Sequence, residues 1–285
     1  MDHNKEEEVH KEPGFDKIDI KKIFKDKNPG LARLIPGFIF NYLKRVIHED
    51  ELNEFMGKYG NLRGIDLVKA GLSYMDIKYQ VHNKHNIPSE GRYLFVSNHP
   101  LGGLDGLVFM TEISKYFDDI KFPVNDILMN IDNMSGVFLP INKHGSQARE
   151  SAMKIEEAYA SDSQILYFPA GLCSRKKRGK VRDLKWQKNF IIKAKKHKRD
   201  IVPLYFSGHN SNWFYNLSNF RNAIGIDANI EMLYLPDEMF RQTGKELHIV
   251  FGESISWRTF DHSKTPLEWA EWVKGKSYEL ADVIK

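Results

Sequence analysis

Apolar residues follow two different rhythms along this chain of 285 residues. Between positions 31 and 47 they recur every three or four residues, which predicts one helix with a wide apolar stripe. The stripe consists of Leu31, Leu34, Ile35, Phe38, Ile39, Tyr42, Leu43, Val46 and Ile47. It is expected either to pack on the body of the protein or to lie at a membrane surface. Further helices are predicted at 15–24, 49–59 and 63–74.

From Asp76 the rhythm changes to the alternation of a strand, with Ile77, Tyr79 and Val81 on one face. Strands are predicted at 93–96, 120–124, 137–141, 164–168, 201–206 and 247–251. Helices are predicted between them at 104–116, 146–160 and 186–197, and a last one starts at Thr265-Pro266. This order predicts an α/β fold with a mixed, largely parallel central sheet, helices on both faces and an N-terminal helical segment.

The same patterns predict three regions. Residues 1–14 are rich in Glu, Lys and His and are expected to be a mobile tail, 15–75 a helical segment, and 76–285 an α/β domain with a C-terminal helix. The tail lacks the apolar core of a signal peptide. The longest apolar run, Leu34 to Phe40, spans about seven residues, whereas a helix across a bilayer needs about 20. We therefore predict neither a signal peptide nor a transmembrane helix.

Charge is unevenly distributed. The net charge is only +4, yet residues 175–199 contain thirteen Lys or Arg side chains and one acid, Asp183. Such a run favours an anionic partner. Phospholipid headgroups, coenzyme A phosphates, an acidic carrier protein and nucleic acid all satisfy this condition, so the run indicates the sign of the partner's charge and not its identity.

The candidate chemistry lies where the strand at 93–96 ends. His99 follows this strand in a glycine-rich turn that leads into a helix, and open α/β sheets bind ligands at such strand ends. If the turn folds back, the Asp105 carboxylate can bond one imidazole nitrogen while the other takes a proton from a hydroxyl or amine. A lone histidine at a turn can also bond a backbone carbonyl, so the residues alone leave both interpretations open.

Several enzyme classes lack support in the sequence. It contains no G-x-S-x-G, H-E-x-x-H, G-x-x-x-x-G-K-[ST] or paired C-x-x-C motif, so no metal or resident cofactor is predicted. The single cysteine, Cys173, excludes internal disulfides and fits a reducing compartment. It is a weak candidate nucleophile, because nothing in the local sequence would lower the pKa of its thiol.

Four segments, in order, resemble the conserved blocks of the 1-acylglycerol-3-phosphate acyltransferase superfamily. They are Asn98-His99-Pro100 through Asp105, Gly136 to Asn142, Phe168-Pro169-Ala170-Gly171, and Ile201 to Leu204. The resemblance covers residues 76–256. It implies that His99 acts as general base and Asp105 orients it, while the acceptor attacks an acyl thioester directly.

Three departures from the superfamily pattern point to one of its branches. Five residues rather than four separate His99 from Asp105, and Gly102-Gly103 give the turn freedom for the extra residue. The other changes are Ala170 for Glu and Leu172-Cys173 for Thr-Arg in the third block, and Ile141 for Arg in the second. The chain is in these respects similar to the hemolysin-like branch, which includes acyltransferases of bacterial amino-acid-containing lipids.

The resemblance also implies substrate contacts. The candidate substrate-binding residues are Asn98, Gly102, Gly103, Lys143, Pro169, Gly171, Ser174 and Arg175. Backbone amides near Gly102, Gly103 and Gly171 are candidate donors to the oxyanion of the tetrahedral intermediate. The expected co-substrate is acyl-CoA or acyl-carrier protein, and the expected acceptor is the hydroxyl or amine of a lysolipid, either lysophosphatidic acid or an amino-acid-containing lipid.

The expected location is cytoplasmic and peripheral, on the inner face of the membrane. The basic run and the stripe from Leu31 to Ile47 are the candidate membrane contacts, and no nucleic acid is expected as a partner.

Two other functions remain open at this stage. A thioesterase or lipid esterase on a similar scaffold would use water as acceptor and would release free fatty acid without a lysolipid. A non-catalytic basic membrane-binding protein would keep its function after His99→Ala.

Overall fold

A computed structural model describes residues 17–27, 29–125, 128–141 and 147–285. The predicted tail at 1–14 and the predicted site residue Lys143 lie outside these ranges. The chain divides into two compact units, of which the first ends at Gly60 and the second begins at Asn61. No helix in the described part of the chain is both long and apolar enough to cross a bilayer.

The first unit contains four helices within its described residues: α1 (Ile20–Lys27), α2 (Pro29–Leu34), α3 (Gly37–Val46) and α4 (Glu49–Tyr59). The prediction of one helix over 31–47 is therefore wrong. Proline lacks an amide hydrogen and disfavours helical backbone in the residue before it, so the helix is interrupted at Ile35 and Pro36. The apolar side chains divide as well: Phe40 is buried, whereas Leu34 and Phe38 are 80% and 72% exposed.

The second unit begins with helix α5 (Gly64–Tyr74), and nine strands and six further helices follow in its described residues. The strands are β1 (Lys78–His82), β2 (Tyr93–Ser97), β3 (Ile120–Val124), β4 (Phe138–Pro140), β5 (Gln164–Tyr167), β6 (Arg175–Lys177), β7 (Lys180–Arg182), β8 (Asp200–Phe206) and β9 (Glu246–Phe251). The helices are α6 (Leu104–Ile113), α7 (Gln147–Ala160), α8 (Asn189–His197), α9 (Asn212–Ala223), α10 (Leu235–Phe240) and α11 (Pro266–Glu279).

Seven strands form one sheet in the order β1-β9-β8-β2-β5-β3-β4. Every neighbouring pair is parallel except β8 with β9. Strands β6 and β7 form a separate antiparallel hairpin. The predicted fold class, a mixed and largely parallel sheet, is confirmed.

Both faces of the sheet are covered because successive side chains of a strand point to opposite sides. Leu94 and Val96 of β2 pack in one core with residues of α7, α8 and α11. Phe206 of β8 lies on the other face, where its ring contacts Phe109 of α6 at a centroid distance of 5.7 Å. The strand ends near β2 are therefore held between two helical layers, which makes them a rigid base for a site.

One predicted helix start is confirmed by the structure and another is wrong. Thr265 caps α11 as expected, since its hydroxyl accepts from the Glu268 amide while the Glu268 carboxylate accepts from the Thr265 amide. The helix predicted from Trp186 instead begins at Asn189. Trp186 is fully buried ahead of it, and its indole N–H donates to Asp183.

Candidate active site

His99 and Asp105 are in contact at the carboxyl edge of the sheet. His99 follows β2, and Asp105 lies in the first turn of α6. The distance from His99 Nδ1 to Asp105 Oδ2 is 3.0 Å. The Asp105 side chain is fully buried, whereas that of His99 is 14% exposed. The turn with five intervening residues thus brings the two groups within hydrogen-bonding distance.

Backbone amides fix the Asp105 carboxylate. Oδ2 also accepts from the Leu101 amide at 2.9 Å, and Oδ1 accepts from the Gly106 amide at 3.0 Å. The amino-terminal end of α6 further favours a negative charge at this position. Because an ionised carboxylate only accepts hydrogen bonds, His99 Nδ1 carries the proton, which leaves Nε2 with a free lone pair.

An aromatic side chain sets the plane of the imidazole. Phe168 follows β5, the parallel neighbour of β2, and its ring stacks on His99 with centroids 4.0 Å apart and planes at 18°. Phe168 in turn contacts Phe109 and Phe122 at 5.7 and 5.5 Å. The third sequence block therefore supplies an apolar wall for the histidine.

The backbone of His99 is held by Asp183 and Ser174. The His99 amide donates to Asp183 Oδ1 at 3.1 Å, and the Ser174 amide donates to the His99 carbonyl at 2.7 Å. Asp183 also accepts from the Ser174 hydroxyl at 2.6 Å and from the Trp186 indole at 2.8 Å. Burial raises the pKa of Asp183 despite these bonds. Sequence analysis missed this residue, whose only signal was its position as the one acid in the basic run.

Four predicted substrate-binding residues are buried among protein groups. Asn98 joins β2 to β8 through two bonds to the Phe206 backbone, at 2.8 and 2.7 Å. Arg175 donates to Glu231 at 2.9 Å and to the Cys173 carbonyl at 2.7 Å. Ser174 and Pro169 are also buried. The polar atoms of Asn98, Ser174 and Arg175 thus bond the protein itself.

The predicted glycines retain access to solvent, but two of their amides already have acceptors. The Gly103 amide donates to the Leu101 carbonyl at 3.2 Å, and the Gly171 amide donates to the Phe168 carbonyl at 3.0 Å. These bonds close the two turns. Gly102 lies between the catalytic candidates with a φ of +83°, in the left-handed region that favours glycine.

Gly102 and Gly103 also have a packing role that sequence analysis did not predict. A Cβ on Gly102 would lie 2.6 Å from Leu235 Cδ2, and one on Gly103 would lie 2.5 Å from Met239 Sδ. Both neighbours belong to α10, which therefore packs directly on the turn between His99 and Asp105.

Cys173 has the properties of a structural thiol. It is fully buried, its sulfur accepts from Arg175 Nη1 at 3.1 Å, and burial raises its pKa to about 11. A thiol with such a pKa is not a nucleophile at neutral pH. Within the described ranges, no group of three His, Cys, Asp or Glu side chains is placed to hold a metal ion.

The cations of the basic run do not all reach the surface. Arg199 is fully buried and donates to the carbonyls of Tyr159 and Ser163 at 2.8 and 2.7 Å. Lys193 and Lys196 bond Glu156. Only part of the run, above all the β6–β7 hairpin, presents its cations to solvent.

Comparisons with known proteins address the family. The model of the family described as acyltransferase matches residues 22–285. A protein of Bacteroides thetaiotaomicron named lyso-glycine lipid O-acyltransferase is 46% identical over 264 residues, covering 92% of this chain and 97% of that protein. A protein of the same name from Phocaeicola vulgatus is 44% identical, with 92% and 95% covered.

The crystal structure of the 1-acyl-sn-glycerophosphate acyltransferase PlsC from Thermotoga maritima aligns with a TM-score of 0.45 and 15% identity, over 86% of this chain and 93% of that one. The match to the family model spans most of the chain, and both relatives exceed 40% identity. This chain therefore belongs to the acyltransferase family.

Proposed function

We propose that this protein transfers a fatty acyl group to the hydroxyl of a lyso-glycine lipid or a closely related amino-acid-containing lysolipid. The observation that carries the proposal is the 3.0 Å contact between His99 Nδ1 and Asp105 Oδ2, beside a partly exposed imidazole. The names of the two relatives support an O-acyl transfer, which forms an ester, and support a lysolipid as acceptor. Acyl-CoA or acyl-carrier protein is the proposed donor.

The proposed reaction needs no enzyme nucleophile. His99 Nε2 takes the hydroxyl proton as the lysolipid oxygen attacks the thioester carbonyl carbon, and Asp105 stabilises the imidazolium through Nδ1–H. The tetrahedral intermediate then collapses, the carbon–sulfur bond breaks, and the imidazolium returns the proton to the leaving thiolate. The products are the acylated lipid and a free thiol, and the histidine is neutral again.

For the oxyanion we propose Gly102 as the first candidate donor. The Gly103 and Gly171 amides already donate to backbone carbonyls within their turns. Either amide would have to break that bond before it could donate to the substrate. Removing one donor of this kind from an enzyme typically costs about 10²-fold or more in rate.

The choice of acceptor is supported by what the chain lacks. Ile141 and Ala170 stand where the resembled superfamily carries Arg and Glu. Arg175, the nearest cation after the third block, is bonded to Glu231. We therefore propose an acceptor other than lysophosphatidic acid. Because the proposed acceptor is a lipid and the proposed donor is water-soluble, we also propose that the protein acts as a peripheral enzyme at the cytoplasmic face of the membrane.

Acyl transfer by the purified protein tests the proposal. Acyl-CoA and acyl-carrier protein of equal chain length are supplied separately, each with lyso-glycine lipid, with lysophosphatidic acid or with no acceptor. Thiol release and mass spectrometry of the lipids follow the reaction, with His99→Gln as the inactive control. We expect acylated glycine lipid to form only when its lyso form is present. Free fatty acid produced at the same rate without any lysolipid would identify a thioesterase and reject the proposal.

A further inference from the structure

Helix α9 has two apolar faces, and only one of them is buried. Phe214 and Tyr215 are enclosed in a small core. Trp213, Phe220 and Ile224 instead are 56%, 62% and 54% exposed. The exposed residues recur at helical spacing and share one side of the helix. Large apolar side chains grouped in this way on the surface of a folded domain mark an interaction surface.

The apolar surface continues beyond the helix. Ile226, Ile230 and Leu233, in the segment that joins α9 to α10, are also exposed. We call these three residues together with Trp213, Phe220 and Ile224 the α9 face. Asp227 is the one exposed acid between positions 212 and 233, because Glu231 is fully buried.

A cationic hairpin lies beside the α9 face. Strands β6 and β7 contain no acid, and Lys177, Arg178 and Lys180 at their turn are exposed. Two bonds hold the hairpin against the helix: Lys176 Nζ donates to Asn212 Oδ1 at 2.7 Å, and Asn219 Nδ2 donates to the Lys176 carbonyl at 3.2 Å. Apolar and cationic groups thus lie on neighbouring surfaces, a combination found on proteins that bind anionic membranes.

Buried charges make this surface rigid. Glu231 accepts from Arg175 of β6 at 2.9 Å and from Arg221 of α9 at 2.8 Å. Val181 of β7 packs against the same small core as Phe214. The hairpin and the α9 face therefore move as one body.

The same body is attached to the catalytic candidates. The hairpin begins after Ser174 and ends before Asp183, and these two residues bond the carbonyl and the amide of His99. The segment that follows the α9 face enters α10, which packs on the turn between His99 and Asp105. The α9 face is therefore connected, through α10 and the hairpin, to the residues that hold the site.

We propose that the α9 face and the β6–β7 hairpin dock on an anionic bilayer, with the apolar side chains at the boundary between headgroups and acyl chains and the lysines on anionic headgroups. The benefit to catalysis, delivery of a lysolipid to His99, rests on the proposed function. The docking itself rests on the exposed residues and their charge.

Vesicle flotation at low ionic strength tests the docking. The probes are phosphatidylcholine vesicles with and without phosphatidylglycerol. The apolar variant is Trp213→Gln/Phe220→Gln/Ile224→Gln, and the charge variant is Lys177→Gln/Lys180→Gln. We expect binding that requires phosphatidylglycerol, a loss of at least about tenfold for the apolar variant, and about fivefold for each lysine removed.

Matched controls keep the test specific. Leu34→Gln/Phe38→Gln removes two more exposed apolar side chains, and Lys185→Gln/Lys188→Gln removes two other exposed lysines of the basic run. Both belong to regions that the sequence alone made candidate membrane contacts. If docking instead uses the α9 face and the hairpin, both should bind within twofold of the wild type. The proposal is overturned if the α9 and hairpin variants float like the wild type, or if the control variants lose as much binding as they do.

A separate arm keeps the two proposals apart. The wild-type protein is assayed for acyl transfer to a lysolipid dispersed in detergent micelles. No transfer there rejects the proposed function and leaves the flotation result standing. Transfer in micelles together with unchanged vesicle binding by the docking variants rejects the docking alone.

Discussion

Two clusters of ionisable side chains differ in what they leave open to solvent. The first is the dyad of His99 and Asp105, and the second is the triad of Arg175, Glu231 and Arg221. In the first, Asp105 is fully enclosed while the His99 side chain remains 14% exposed. In the second, Arg175, Glu231 and Arg221 are all buried, and their polar groups bond one another and nearby carbonyls. The first cluster can exchange a proton with a substrate, whereas the second can only hold the chain in place.

The difference lies in the chemistry of the cation as much as in its exposure. An imidazole gains and loses a proton near neutral pH, whereas a guanidinium stays charged in proteins. A cation next to a sequence motif is therefore weak evidence for substrate binding until its partners are known. Arg175 lies four positions after the end of the third block, yet its carboxylate partner lies 56 positions away.

The largest expected effect is a loss of activity on changing His99, which the buried arginine cluster should not share. His99→Gln should reduce kcat by about 10³-fold, within the range that general bases contribute. Its melting temperature should change little, because the Asp105 carboxylate keeps its bonds from the Leu101 and Gly106 amides. Steady-state acyl transfer and thermal unfolding measure the two quantities. A variant that keeps a tenth of the wild-type rate would contradict the role of His99.

Asp105→Asn should lower both activity and stability. Both carboxylate oxygens accept backbone N–H groups, so an amide nitrogen in place of either oxygen would face another donor. A buried polar clash of this kind costs about 1–3 kcal/mol of unfolding free energy. Loss of activity with unchanged stability would show that the carboxylate is not held as described.

Glu231→Gln should give the opposite pattern to His99→Gln. Two buried guanidinium groups would lose their counter-charge, which typically costs about 3–5 kcal/mol of unfolding free energy. The folded protein should retain its kcat on a micellar lysolipid at a temperature well below its Tm. Urea unfolding gives the stability, and a double variant that also carries Arg175→Met tests whether removing one guanidinium restores part of it. Unchanged stability would mean that solvent reaches the triad.

Cys173 lies between the clusters in sequence, and its thiol should be needed neither for acyl transfer nor for the charge pairing of Arg175. Because burial raises the pKa of its thiol to about 11, a neutral-pH thiol reagent should label the native protein far more slowly than the unfolded one. Cys173→Ala should keep kcat within twofold and cost about 1 kcal/mol of stability, since one buried contact with Arg175 is lost. Rapid labelling with loss of activity would revive the nucleophile hypothesis.

Local patterns predicted the strands of the sheet, whereas the His99–Asp105 pair was predicted from the resemblance of four short segments to the blocks of a known superfamily. The apolar runs of β2 and β8 and the glycine turn after β2 are visible without any distant partner. The hairpin was missed because its strands have three residues each and its turn is Arg178-Gly179 rather than Asn-Gly.

Helix α9 was missed for a different physical reason. Its sequence contains four asparagines, which have low helix propensity, and apolar residues on two faces, which blur the helical period. Packing of its buried face and the bond from the Phe214 amide to the Ser211 hydroxyl, which caps the helix, stabilise it in the folded chain. The triad was invisible from sequence because it depends on these tertiary contacts.

The smallest expected effect comes from a third charge cluster that is open to solvent. Glu156, whose side chain is 36% exposed, bonds Lys193, Lys196 and His197, and the Lys193 bond is the main cause that lowers its pKa to about 2. A carboxylate with a lowered pKa in the folded state stabilises the protein above its unfolded pKa of about 4.3. That contribution is lost as the pH falls from there toward 2.

Glu156→Gln should therefore cost at most about 1 kcal/mol at pH 7, because exposed ion pairs are weak. The difference from the wild type should shrink as the pH approaches 2 and as salt is added, while kcat stays unchanged. Urea unfolding across this pH range measures it. Suppose instead that Glu156→Gln lowers the unfolding free energy at pH 7 as much as Glu231→Gln does. Solvent exposure would then not determine how much each charge cluster contributes to stability.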